Sequence, residues 1–179
     1  GLSIQGKYLY VASYYNNSLT IVDISNPPNP TVVGTNNNVD GTGAGSFYGP
    51  YAVAVQGKYA YTANNYTNTI SVINVANPAS PTVITRVATA GDAFGVTVAG
   101  NYLFVSNDTS NNVQIFDISN PASPTVVQQI NGTAGVYATT VVGKYLYTAN
   151  FDAGTVSVVD LGGIDTNAIN AGSIQTADL

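Results

Sequence analysis

The chain has 179 residues, a formal charge of −5 and only four basic side chains, so it lacks the basic surface that nucleic acid or anionic lipid would demand. No apolar run approaches the roughly 20 residues needed to cross a bilayer as a helix. Histidine, cysteine, methionine and tryptophan are absent, which removes Ser-His-Asp and Cys-His catalysis, imidazole and thiolate metal sites, and His, Met or Cys ligation of haem.

Charged residues make up 7% of the chain, against about 25% for an ordinary soluble domain. Asn, Thr, Ser, Gly and Tyr fill the space, a mixture that suits pleated surfaces and tight connections rather than helices. The first unit, residues 1–43, begins inside a repeat and is expected to lack most of its opening strand. Its Gly6-Lys7-Tyr8 turn leads into a second strand, and 19–25 forms a third. The Asn/Gly-rich stretch 34–50 reads as a loop insertion between units.

The second unit, 51–90, shows the full pattern. Strands are predicted at 51–55, 59–63, 69–75 and 82–87, separated by Gly57-Lys58, a polar loop at 64–68, and Asn77-Pro78-Ala79-Ser80-Pro81. Proline cannot donate to a ladder, so the last segment must be a turn. The third unit, 94–133, matches element by element, and Gly57, Gly100 and Gly143 recur every 43 residues. The fourth, 137–163, keeps three strands before Gly162-Gly163 replaces the Asn-Pro turn. The tail 164–179 is a closing strand or a linker.

Four strands in about 43 residues is the period of a propeller blade. The expectation is an all-β β-propeller of four-stranded antiparallel blades, four to the chain, forming a partial ring or one completed by a partner chain. Small residues at Ala52, Ala54, Gly95, Thr97, Ala138 and Thr140 suit the crowded innermost strands. The tyrosines of the second strands, among them Tyr10, Tyr61, Tyr102 and Tyr147, are expected between blades.

Leu19-Thr20-Ile21-Val22-Asp23-Ile24-Ser25-Asn26-Pro27 and Val113-Gln114-Ile115-Phe116-Asp117-Ile118-Ser119-Asn120-Pro121 resemble the LVIVD repeat. The Tyr-x-Tyr-x-Ala-Asn stretches at 59–64 and 145–150 are similar to the related YVTN-type repeat. This resemblance covers roughly residues 1–163. It implies a β-propeller, commonly within large secreted or surface proteins of microbes, and it brings no catalytic residue set.

Asp23, Asn74, Asp117 and Asp160 end the third strands. Recurrence once per unit, with Asn tolerated, points to turn capping rather than to a ring of carboxylates. The loops between second and third strands should share one side of the array. They carry the candidate ligand-binding residues Tyr14, Tyr15, Asn65, Tyr66, Asn107, Asp108, Phe151 and Asp152, aromatic rings beside amides and carboxylates. Calcium, an oxygen-ligated ion, is left open at Asp108 or Asp152; no other metal and no cofactor is expected. Asn16, Asn65, Asn107 and Asn131 fit the glycosylation acceptor pattern, the first three in loops expected to be exposed.

The leading functional expectation is a non-catalytic structural or interaction module of an extracellular or virion surface protein, self-assembling or presenting loops. A carbohydrate-binding propeller using the loop residues is the alternative; a lactone hydrolase, the third reading, lacks a residue set to carry it. Expected partners are further copies of the chain or neighbouring domains, and glycans. Nucleic acid and membrane insertion are not expected. Opening in mid-repeat suggests a processed or truncated piece.

Overall fold

The computed structural model describes residues 1–39, 41, 49–132, 134–162 and the backbone of 175–177. Within each repeat the alternation of apolar and small polar residues resolves into four strands. Blade 1 holds β1 (Leu2–Gln5), β2 (Tyr8–Ser13), β3 (Ser18–Asp23) and β4 (Thr31–Asn36); blade 2 holds β5 (Pro50–Gln56), β6 (Tyr59–Asn64), β7 (Thr69–Asn74) and β8 (Thr82–Ala88). Blade 3 follows with β9 (Ala93–Ala99), β10 (Tyr102–Asn107), β11 (Asn112–Asp117) and β12 (Thr125–Asn131), and blade 4 with β13 (Val136–Val142), β14 (Tyr145–Asn150), β15 (Thr155–Asp160) and β16 (Gln175–Ala177). Each blade is one antiparallel sheet in chain order. The chain is therefore an all-β array of propeller blades, as the 43-residue period implies.

Local chemistry sets the strand register. The turns between first and second strands have two central residues, and Gly6, Gly57, Gly100 and Gly143 take φ values of 58 to 60°. Glycine at the first central position of a two-residue hairpin is the type II′ signature, whose twist matches that of the strands. The loops between second and third strands hold four residues, and the last residue of each, Asn17, Asn68, Asn111 or Gly154, is left-handed. Asn and Gly are the residues that enter this region at least cost.

At the opposite end of the third strand, Asp23, Asn74, Asp117 and Asp160 each accept a hydrogen bond from the backbone amide two residues on, at 2.8–2.9 Å. These side chains cap the turns that start the outer connections. In blades 1 and 4 the second carboxylate oxygen also receives Lys7 or Lys144, at 2.8 and 2.7 Å. The hydrogen bonds from Lys7 and from Ser25 hold the Asp23 carboxyl down at about 2. A carboxyl depressed by folding stabilises the fold above its unfolded value of 3.8 and loses that contribution as pH falls toward 2. Asp23→Asn keeps the cap, as Asn74 does naturally, but removes the titration. Its melting temperature should fall less steeply than wild type's between pH 4 and pH 2, measured by circular dichroism in parallel buffers; identical slopes would remove Asp23 from the acid response.

One chain end differs from expectation and the other resolves an alternative. The first unit was expected to lack most of its opening strand, yet β1 pairs along its whole length, from Leu2↔Val11 to Gln5↔Tyr8. Four residues suffice because the β1–β2 hairpin is closed by the same glycine turn as the others. In blade 4, β16 adds to β15 as the fourth strand, with Val159 opposite Thr176, so this part of the tail acts as a strand.

The blades bury their faces against one another in sequence. Tyr10, Leu19 and Ile21 of blade 1 meet Val53, Ala60 and Ile73 of blade 2. Tyr61, Ile70 and Val72 of blade 2 meet Leu103, Val105 and Phe116 of blade 3. Tyr102, Phe104 and Ile115 of blade 3 meet Leu146 and Val159 of blade 4. The innermost strands come nearest. A Cβ on Gly95 would lie 2.7 Å from the Tyr137 carbonyl oxygen, which explains why this position demands so small a residue.

Candidate functional site

Antiparallel strand order puts the start of every innermost strand at the same end of the array as the loop between its second and third strands. Two sets of side chains distant in sequence therefore converge there. Tyr51, Phe94 and Tyr137, spaced by 43 residues, open β5, β9 and β13. Tyr14, Tyr15 and Phe151 come from the loops.

Together they form a continuous aromatic ladder across four blades. Ring centroids are 5.2 Å apart for Tyr15 and Tyr14, 5.9 Å for Tyr14 and Tyr51, and 4.8 Å for Tyr51 and Phe94. The row continues at 4.3 Å to Tyr137, stacked on Phe94, and 4.8 Å on to Phe151. Edge-on and offset contacts in this distance range are favourable pairings. The ends of the ladder are the most open, Tyr15 at 71% and Phe151 at 70% exposure, with Tyr51 at 43%. Beneath it the innermost strands line a groove of about 320 Å³, bordered by Tyr51, Phe94, Gly95, Tyr137 and Ala138.

Acidic groups flank one end. Burial pushes the Asp108 carboxyl above its ordinary value, helped by the charges of Asp152 and Asp92. Burial, followed by Asp108, Tyr51 and Asp152, likewise raises the Tyr137 phenol. Tyr137 is thus the ring at which ladder and carboxylates meet. Asp108 Oδ1 and Asn65 Nδ2 are buried with no hydrogen-bond partner among the described residues. No group of three or more His, Cys, Asp or Glu side chains that could hold a metal ion gathers among the described residues.

Of the loop residues singled out from sequence, Tyr14, Tyr15 and Phe151 belong to the ladder, while Asp108 and Asp152 lie beside it. Tyr66 is 61% exposed on the β6–β7 loop and Asn65 is half-buried. Asn107 requires correction, both as a ligand-facing residue and as an acceptor in an exposed loop. It is fully buried, and its amide nitrogen donates to Asn112 Oδ1 at 2.9 Å and Gln114 Oε1 at 3.2 Å. As the last residue of β10 it ties the loop together from inside. Asn16 and Asn131 are exposed; Thr133, which completes the Asn131 acceptor pattern, lies outside the described residues. The sequence reading missed Tyr51, Phe94 and Tyr137 as site residues because they are strand residues, although their 43-residue spacing marks one aromatic per blade.

No curated protein matches the chain by sequence. Among solved structures, a protein from Lactobacillus plantarum is similar with a TM-score of 0.78 at 16% identity, covering 98% of this chain and 53% of that one. A putative 6-phosphogluconolactonase from Bacteroides uniformis is similar with a TM-score of 0.74 at 17% identity, covering 97% and 53%. The computationally designed Ika4 protein is similar with a TM-score of 0.65 at 11% identity, covering 88% and 87%. The chain thus spans about half the length of the first two, and at these identities the likeness concerns the fold alone. The LVIVD repeat matches residues 1–38, 51–89 and 90–132, one match to each of the first three blades. Three matches in register with the blades, and covering most of the sequence, mean that this chain belongs to the LVIVD repeat family.

Proposed function

We propose that this chain is a non-catalytic recognition module, in the setting of an extracellular or virion surface protein, and that its ligand is carbohydrate held on the aromatic ladder. The ladder is the observation that carries this reading. Six rings from four blades form one apolar strip with phenol hydroxyls along it. An exposed apolar patch of this extent, rimmed by polar groups, is the ordinary mark of a binding surface. Sugars present apolar ring faces edged by hydroxyls, so they match rings flanked by Asp108 and Asp152. The absence of histidine and cysteine removes the commonest acid–base groups and leaves carboxylates, phenols and three lysines. The lactonase named among the similar structures lends its fold and nothing of its chemistry at 17% identity.

A glycan array followed by titration calorimetry tests this. Binding to at least one neutral glycan is expected, weakened at least about tenfold in Tyr51→Ala and Phe151→Ala, a loss of roughly 1.4 kcal/mol or more each. A silent array overturns the carbohydrate assignment. Lactone turnover that disappears in Asp108→Asn overturns the non-catalytic one.

A further inference from the structure

The two ends of the array are open in a complementary way. On blade 4 the outward face carries Val142 at 62% and Val156 at 56% exposure, with Ala149 exposed and Tyr147 half-exposed. The positions of Tyr147, Ala149 and Val156 are filled in blade 2 by Tyr61, Ala63 and Ile70, which are at most 2% exposed because blade 3 covers them. On blade 1 the opposite face carries Leu2 at 67% and Ile4 at 65% exposure. Their counterparts in blade 3 are Val96 and Val98, packed against blade 2. The open faces are therefore the two halves of an interface that the chain builds three times within itself.

We propose that a second copy of this chain covers both faces, blade 4 of each copy docking on blade 1 of the other, to close an eight-bladed ring. Three observations select this occupant. The faces match repeat position for repeat position, so each is shaped for a blade of this repeat. A recess of about 200 Å³ on blade 4, lined by Ala138, Thr140, Tyr147, Ala149 and Val156, lies where blade 2 receives Leu103 and Val105 from blade 3. Finally, the chain superimposes almost in full on 53% of longer solved chains of this fold, so a second copy supplies a span comparable to what those chains add. Head-to-tail contacts form closed assemblies only when the rotation between copies closes; half a turn per copy does so with two identical interfaces. No sheet face is then left open. Two aromatic ladders would surround one channel, but the docking does not depend on what they bind.

The test is light scattering on the purified 179-residue chain at micromolar concentration, with circular dichroism to verify folding. Wild type should have twice the 18.4 kDa chain mass. Val156→Asp on blade 4 and Ile4→Asp on blade 1 should each halve the observed mass without changing the spectrum, since both side chains are exposed within one chain. Ala149→Asp and Leu2→Asp provide a second pair should either first variant fail to fold. A wild-type monomer overturns the proposal. So does dissociation by substitutions on one face only, which means like faces pair, and so does a mass that climbs beyond two copies with concentration, which means an open filament.

Discussion

Phe116→Ala will lower the unfolding free energy by about 3–5 kcal/mol, the largest effect expected from any single substitution in this chain. Phe116 lies on β11 with none of its surface exposed, in the cluster where Tyr61, Ile70 and Val72 of blade 2 meet Leu103 and Val105 of blade 3. Truncation forfeits the transfer energy of the ring and leaves a cavity between two sheets whose strands are fixed by their ladders, so collapse around it is limited. Neighbouring blades hold Val22, Ile73 and Val159 at this position, but only blade 3 has an aromatic. Phe116→Val should therefore cost less than Phe116→Ala, because it restores a side chain that other blades accept there. Urea denaturation followed by far-ultraviolet circular dichroism measures both. A loss below about 1 kcal/mol for alanine would show that the blades do not rely on this contact.

Asn64→Ala should cost about 2–3 kcal/mol through a different mechanism. Asn64 ends β6, is fully buried, accepts a hydrogen bond from Thr62 Oγ1 at 3.0 Å, and donates to Ser71 Oγ at 2.8 Å and Thr69 Oγ1 at 3.1 Å. Ser71 in turn donates to the Val39 carbonyl, which belongs to the connection leaving blade 1. The amide thus joins two strands, their loop and a neighbouring blade. Its removal leaves buried hydroxyls without partners, and an orphaned buried group loses its full desolvation energy. The same device recurs at Asn150 with Thr148, Thr155 and Ser157, and with different partners at Asn107. Combining Asn64→Leu with Thr62→Val should recover part of the loss, since removing both ends of a buried hydrogen bond costs less than removing one. Strict additivity in that cycle would contradict the mechanism.

This account of Asn64, Asn107 and Asn150 also shows where the linear reading of the site went astray. All three follow a strand and precede Asn, Asp or aromatic residues, so composition groups them with the exposed loop tips. Whether an amide at a strand end points outward or into the blade depends on the pleat and on the length of the loop it closes. Four-residue loops with a left-handed final position turn it inward. Conversely, Tyr51, Phe94 and Tyr137 sit in strands that a local reading assigns to packing. They become surface residues because the innermost strands begin at the mouth of the groove.

The sequence by itself determined the repeat, the strands and turns within it, and the capping role of Asp23, Asn74, Asp117 and Asp160. Each of these rests on interactions between residues close in the chain, where Gly, Pro, Asn and alternating apolar residues act directly on backbone geometry. Only the tertiary structure decided that six rings from separate repeats form one row, that Asn107 is buried, and that blades 1 and 4 each keep an uncovered apolar face. Those outcomes depend on how successive sheets stack and on where the stacking stops. That is a property of contacts between units 43 residues apart, which no local pattern encodes.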